Sequence, residues 1–258
     1  MGIVNVTPDS FSGDGIEEPD LAVAFAHTQL ERGSDILDVG AESTRPGHTP
    51  VPAETEIARL VPVIAAIRRR SPPAILSVDT HKSGVLRAAH AAGADLLNCV
   101  WGLPHDVLET ALALQMPVVV MHNKLEARYD GDVMDEVLSF LEEAAGRAVR
   151  AGMPAEHVIL DPGIGFGKTA DHNLHILQQL SRLVALGFPS LLGTSRKSTI
   201  GKLTGRDPED RIYGTAATTA LAIGAGIDVV RVHDVSQTKD VASVADAIVR
   251  DWRPPGWT

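Results

Sequence analysis

Ser195-Arg196-Lys197-Ser198 puts two cations and two hydroxyls where an apolar run, Pro189 to Leu192, hands over to a helix-like run. Backbone N–H groups at a helix start carry partial positive charge, and Arg and Lys add full charges, so such a junction attracts anions. Taken alone, the tetrapeptide also suits a solvated basic turn. It is one of a series, however. Asn5, Asp79, Asn98, Met121-His122, Asp161 and Arg231-Val232-His233 each close a short apolar run. Asp79, Asn98 and Asp161 offer acceptors and an amide to a flat heterocycle with N–H donors on its edge. Arg45, Arg231 and His233 make a cationic flank suited to phosphate or pyrophosphate. Any one of these Asp or Asn residues could instead cap the helix after it. Together they describe a bipolar site, with a heterocycle on one side and an anionic leaving group on the other.

The elements that must position them alternate between short β-branched runs and longer Ala- and Leu-rich amphipathic runs. Strands are expected at Gly2–Val6, Asp35–Val39, Ala74–Val78, Leu96–Asn98, Pro117–Met121, Val158–Leu160, Ser190–Gly193 and Val229–Val232. Helices are expected at Leu21–Arg32, Thr55–Arg70, Lys82–Ala92, Met134–Ala151 and Tyr213–Ala225, among others. Eight βα repeats with no Pro/Ser/Gly-rich linker between them predict an α/β fold, a single (β/α)8 TIM barrel domain over residues 1–258. Its active site should lie at the C-terminal ends of the strands. A doubly wound sheet would want a phosphate-binding glycine fingerprint after the first strand, where Asn5-Val6-Thr7-Pro8-Asp9 stands. With the first strand starting at Met1, either side chains fill the barrel floor or the sequence begins inside a longer chain.

The chain has 258 residues, 44% hydrophobic and 22% charged, enough apolar material for one large core. A net charge of −10 opposes non-specific nucleic-acid binding, so any anion must be held by a local cluster. Cys99 is the only cysteine, which excludes an intramolecular disulfide and a four-cysteine zinc site. The first residues do not form a secretion signal, and no run reaches the roughly 18–20 apolar residues that span a bilayer. A cytoplasmic protein that does not bind membranes is the expectation.

Three further features are open to more than one reading. Gly163-Ile164-Gly165-Phe166-Gly167-Lys168-Thr169 misses the P-loop spacing, because the required first glycine falls on Pro162. It suits either a flexible loop or a backbone approaching a flat ligand, with Phe166 as the stacking surface. His172 and His175 could share a metal, but lacking a third ligand in register they read as surface histidines. Lys197 could be a Schiff-base lysine with its pKa lowered by Arg196, although its flanking hydroxyls favour a hydrogen-bonding seat.

Five segments in order carry a family resemblance over nearly the whole chain. They are Asn5-Val6-Thr7-Pro8-Asp9-Ser10-Phe11-Ser12, Glu42-Ser43-Thr44-Arg45-Pro46-Gly47, Asp161-Pro162-Gly163-Ile164-Gly165-Phe166-Gly167-Lys168, Ser195-Arg196-Lys197-Ser198 and Arg231-Val232-His233-Asp234. They resemble the dihydropteroate synthases of folate biosynthesis, transferases and sulfonamide targets within the pterin-binding barrels. The resemblance implies condensation of 4-aminobenzoate with 6-hydroxymethyl-7,8-dihydropterin diphosphate to dihydropteroate and pyrophosphate, with Mg²⁺ as cofactor. It also implies a homodimer built through the later helices. On the same ground Asp79, Asn98, Met121, Asp161 and Lys197 would bind the pterin, and Thr44, Arg45, Arg231 and His233 the diphosphate. Pro46, Phe166 and Ser198 would bind the aminobenzoate, and Asn5 the Mg²⁺, with Asp161, Lys197, Arg231 and His233 as the catalytic set.

The chain departs from the family pattern at Cys99, where Asp is usual, and at Trp101, Thr199 and the Gly13-Asp14-Gly15 loop. A methyltetrahydrofolate methyltransferase shares the barrel but would not need the Ser195–Ser198 cluster or the Arg231/His233 pair. A pterin-binding paralogue without activity is the third alternative.

Overall fold

In the computed structural model, which describes residues 1–7, 18–42 and 50–257, short parallel strands alternate with helices along the chain. The strands are β1 (Gly2–Asn5), β2 (Ile36–Gly40), β3 (Ile75–Asp79), β4 (Leu96–Cys99), β5 (Val118–Met121), β6 (Val158–Asp161), β7 (Leu191–Leu192) and β8 (Val229–Val230). The helices are α1 (Pro19–Glu31), α2 (Ala53–Arg70), α3 (Ser83–Ala92), α4 (His105–Ala113), α5 (Val133–Arg150), α6 (Ala170–Gln178), α7 (Leu180–Val184), α8 (Ser198–Thr204), α9 (Ile212–Ala225) and α10 (Val235–Val249).

β1 to β6 pair in sequence order, and β7 pairs with β8. Two bridges complete the ring: Leu160 with Ser190, and Gly2 with Val232. At the second closure Ile3 N–H donates to the Val232 carbonyl and Val232 N–H to the Met1 carbonyl, both at 3.0 Å. The expected eight-stranded barrel is thus formed. β7 and β8 are shorter than the apolar runs suggested. Their ladder nonetheless continues past the strand limits, through Val229 N–H to the Ser190 carbonyl and Arg231 N–H to the Leu192 carbonyl.

Because strand side chains alternate between faces, residues two apart share one side of the wall. Outward residues such as Leu37, Val39, Leu76, Val78, Leu97, Cys99, Val118, Val120 and Leu160 are buried against the helices in one large apolar cluster. Inward, Met1, Ile36, Leu96, Val119, Ile159, Leu191 and Val229 form a separate apolar layer across the barrel floor. Two residues further along the same strands stand Asp38, Asn98, Met121, Asp161, Gly193 and Arg231. Period-two geometry therefore places a polar layer directly on an apolar floor. Among the described residues, no helix is long and apolar enough to cross a membrane.

Candidate active site

Asp38 is the hub of the polar layer. Its side chain has no exposure, and its carboxylate accepts from Ser77 Oγ at 2.6 Å, Asn98 Nδ2 at 2.9 Å and Arg231 Nε at 2.6 Å. Arg231 Nη2 also reaches Asp79 Oδ2 at 3.3 Å. Sequence reasoning put Arg231 on the cationic flank with His233, but its guanidinium turns into the acid layer, where two buried carboxylates need a counter-charge. Burial opposes the charge on Arg231, yet Asp38 and Asp79 outweigh it and raise its pKa. Asp38 was overlooked because it sits inside the run Asp35–Val39 rather than at its end. The available signal was its spacing two residues before Gly40, on the inner face.

Asp79 is the open position of this layer. Burial and the neighbouring Asp38 push its pKa up to about 8, against the lowering by Arg231. Its Oδ1 atom is buried and has no hydrogen-bond partner. Such an atom costs free energy unless a donor arrives, so it marks where a ligand N–H should bind. Asp79 does not cap α3, whose N-cap is Lys82.

The opposite side is built by the β6 exit and the β7–α8 turn. Asp161 Oδ1 accepts the Gly163 N–H at 2.7 Å, and burial raises its pKa despite the nearby Lys197 and Lys168. Lys197 Nζ donates to the Ile164 carbonyl at 2.8 Å and lies 4.1 Å from the centre of the Phe166 ring. Its pKa falls to about 8 because it is buried and close to Arg231, while Asp161 pulls the other way. Arg196 is not the cause. At a φ of 57° it turns away and forms a two-pronged ion pair with Asp234, at 3.0 and 2.6 Å. Met121 is buried and opposite Asp161 in the strand register.

The glycines of this loop serve a purpose that neither sequence reading anticipated. Gly163 has φ +70°, and a Cβ there would lie 1.9 Å from the His122 carbonyl oxygen. Gly167 similarly abuts the Lys124 carbonyl. The loop is pressed against the exit of β5, which holds Phe166 beside Lys197. Lys168, absent from the expected site set, fastens the same junction by donating to His122 Nδ1 at 2.9 Å and the Phe166 carbonyl at 3.0 Å. Burial lowers Lys168 to about 7, and burial with Lys168 lowers His122 to about 3.

Two departures from the family pattern, Thr199 and Cys99, lie among the described residues near this site. Thr199 Oγ1 accepts from Asn173 Nδ2 at 3.0 Å, and Asn173 Oδ1 holds the Gly165 N–H at 2.9 Å, so Thr199 links α8 to the glycine loop. The Cys99 side chain points outward into the core. Burial raises its thiol to about 11. His172 takes part in the capping box of α6, and His175 lies 2.6 Å from Asp132, so neither is drawn into a metal site.

Ser195 Oγ lies 2.8 Å from His233 Nδ1 and accepts the His233 N–H at 3.1 Å, tying the ends of β7 and β8 together. Ser198 is exposed and is the first residue of α8. Asn5 ends β1 beside Gly40 and is half-buried at the rim. Thr44, Arg45, Pro46 and the Gly13-Asp14-Gly15 loop lie outside the described residues. Among those described, no cluster of three His, Cys, Asp or Glu side chains could hold a metal. Asn5 offers a side-chain amide oxygen at this rim, a donor type that suits Mg²⁺, an ion that retains waters and favours phosphate oxygens.

The chain matches the family of pterin-binding enzymes over residues 1–233. It is 44% identical over 254 residues to the dihydropteroate synthase of Clostridium beijerinckii, covering 97% of this chain and 94% of that protein. Its structure resembles dihydropteroate synthase from Clostridium difficile, solved in the presence of pteroic acid, with a TM-score of 0.91 and 42% identity. That likeness covers 97% of this chain and 96% of the other. The Xanthomonas albilineans dihydropteroate synthase with 4-aminobenzoic acid also superposes at a TM-score of 0.91, with 44% identity over 98% of this chain and 93% of that one.

Proposed function

The chain belongs to the pterin-binding enzymes, among the dihydropteroate synthases, transferases of folate biosynthesis, and on that premise we propose the reaction it carries out. It joins 4-aminobenzoate to 6-hydroxymethyl-7,8-dihydropterin diphosphate, giving 7,8-dihydropteroate and pyrophosphate, and does so as a single cytoplasmic barrel domain. The observation that carries the reading is the buried, unpartnered Asp79 Oδ1 in a layer shared with Asn98, Asp161 and Lys197. The similar enzymes solved in the presence of pteroic acid and with 4-aminobenzoic acid support it.

The pterin lies on Met121, its N–H edge donating to Asp79 and Asp161, with Asn98 held in place by Asp38. Breaking the bond from the pterin methylene to the diphosphate oxygen builds positive charge on the heterocycle and negative charge on the leaving group. Asp161 and Asp79 favour the first, and Thr44, Arg45 and His233 the second, while Arg231 counters the charge of Asp38 and Asp79. Asp79 and Asp161 are set in place before the charge develops, which is where preorganised groups contribute most. Lys197, held over Phe166, lies between the two substrates. The aminobenzoate ring packs on Phe166 and Pro46, and its carboxylate meets Ser198. Its amine attacks as a free base, so no strong general base is needed.

Asn5 would hold Mg²⁺ together with the diphosphate, and the ion would neutralise oxygen charge on the leaving group. The exposed Leu221 of α9 and the Val244 and Ile248 of α10, helices that pack on each other, support a homodimer through this face. The reading is tested by calorimetric titration with the dihydropterin lacking diphosphate. Wild type should bind it, and Asp161→Asn and Lys197→Met should each weaken binding by about a hundredfold. Equal affinity in all three would overturn the assignment.

A further inference from the structure

Gln29 belongs to none of the motifs above. The buried residues of α1 are Ala22, Val23, Ala26 and Gln29, so an otherwise apolar stripe ends in an amide. That side chain has no exposure. Its Nε2 donates to the His233 carbonyl at 3.1 Å, 204 residues away in sequence. Its Oε1 is buried without a hydrogen-bond partner. The reverse orientation of the amide would set oxygen against the carbonyl, so the donor is the group that faces His233.

Burying an amide costs free energy, and an unsatisfied acceptor adds its own desolvation penalty. On stability alone, an apolar side chain would complete the stripe of α1 better. The effect of the amide therefore falls on the group it bonds. The His233 carbonyl stands where regular structure supplies no donor. β8 ends at Val230, and the ladder of α10 begins at the Asp234 carbonyl, which accepts the Thr238 N–H at 3.1 Å. From the other side, Ser195 Oγ accepts the His233 N–H at 3.1 Å and lies 2.8 Å from the ring Nδ1. His233 is thus held by its carbonyl from α1 and by its N–H and ring from the β7–α8 turn.

We propose that Gln29 is a positioning residue, which fixes the backbone of His233 and thereby where its imidazole meets the diphosphate. This rests on the reading of His233 as a diphosphate contact. Two variants remove the donor and keep an apolar side chain in its place, Gln29→Met and Gln29→Leu. Neither should lower the urea midpoint, because both remove a buried amide with an orphaned oxygen. In both, KM for the pterin diphosphate should rise by about tenfold, while affinity for the pterin lacking diphosphate stays within about twofold. In a His233→Ala background, Gln29→Met should add less than about twofold to that KM.

A second readout needs no substrate. In protein labelled with carbonyl-¹³C histidine, the His233 resonance should move in both variants while those of the other histidines hold. An unmoved His233 resonance or an unchanged KM overturns the proposal, as does a further rise of about tenfold in the His233→Ala background. So does a fall in midpoint with equal loss of affinity for both pterins, which would mean general loosening of the barrel. If wild type makes no dihydropteroate, the functional reading fails, and the carbonyl resonance alone still decides whether Gln29 holds His233.

Discussion

Replacing Arg231 by Met removes the counter-charge of two buried carboxylates while keeping much of the side-chain volume. Asp38 has no exposure and Asp79 is 8% exposed, so water cannot take over from the guanidinium. Leaving a buried charge without its partner costs about 3–5 kcal/mol. The cost should depend on pH, and its sign follows from Asp79. A carboxyl whose folded pKa is raised contributes stability below its unfolded value that is lost as pH rises towards its folded value, here about 8. Arg231 limits that loss in wild type by lowering the Asp79 pKa.

Without Arg231 the loss should deepen as pH rises, with a limiting slope of about 1.4 kcal/mol per pH unit for one proton. Urea unfolding at pH 6.0 and 8.5 should therefore give a deficit of about 3 kcal/mol rising by no more than about 1 kcal/mol, because wild type itself loses the Asp79 contribution up to its own pKa of about 8. Adding Asp38→Asn to Arg231→Met should recover part of the deficit, because the coupled pair is removed together. A deficit under about 1 kcal/mol that does not change with pH would refute the reasoning.

Three other outcomes follow from the same geometry. Gly163→Ala should lose at least about 2 kcal/mol in urea unfolding, since positive φ alone costs an L residue about 1–2 kcal/mol and the methyl also meets the His122 carbonyl; a neutral substitution would show that the loop does not press on β5. Cys99 should resist thiol reagents in the folded protein and react only on unfolding, its thiol being buried and pushed up to about 11; rapid native labelling would contradict its outward placement. Pterin binding should release a proton, because donors to Asp79 favour its ionised form: with a pKa of about 8 in the free protein, up to roughly 0.9 proton at pH 7. Calorimetry in buffers of different ionisation enthalpy measures this, and a net uptake would place the donors elsewhere.

The barrel was legible because each βα unit repeats the same contrast of short β-branched and long amphipathic runs. Asp79, Asn98 and Asp161 on β3, β4 and β6 were legible because an Asp or Asn after an apolar run stands out. Asp38 did not, since an acid within a strand looks like its boundary unless inward positions are counted in twos from Ile36. The direction of Arg231 could not be read either, because it depends on carboxylates 193 and 152 residues away in sequence. Lys168 was hidden for the same reason: it looks like a surface lysine until three acceptors converge on it. The glycines at 163 and 167 suggested a ligand or a flexible loop, whereas their conformation answers to neighbouring backbone.

The most direct measurement is turnover with Mg²⁺, 4-aminobenzoate and 6-hydroxymethyl-7,8-dihydropterin diphosphate, following dihydropteroate and pyrophosphate together. Wild type should form the two in equal amounts, and Asp161→Asn should lose at least about a hundredfold in rate. Failure to form dihydropteroate in a protein that still binds the pterin diphosphate, or equal rates in Asp161→Asn and wild type, would contradict the account.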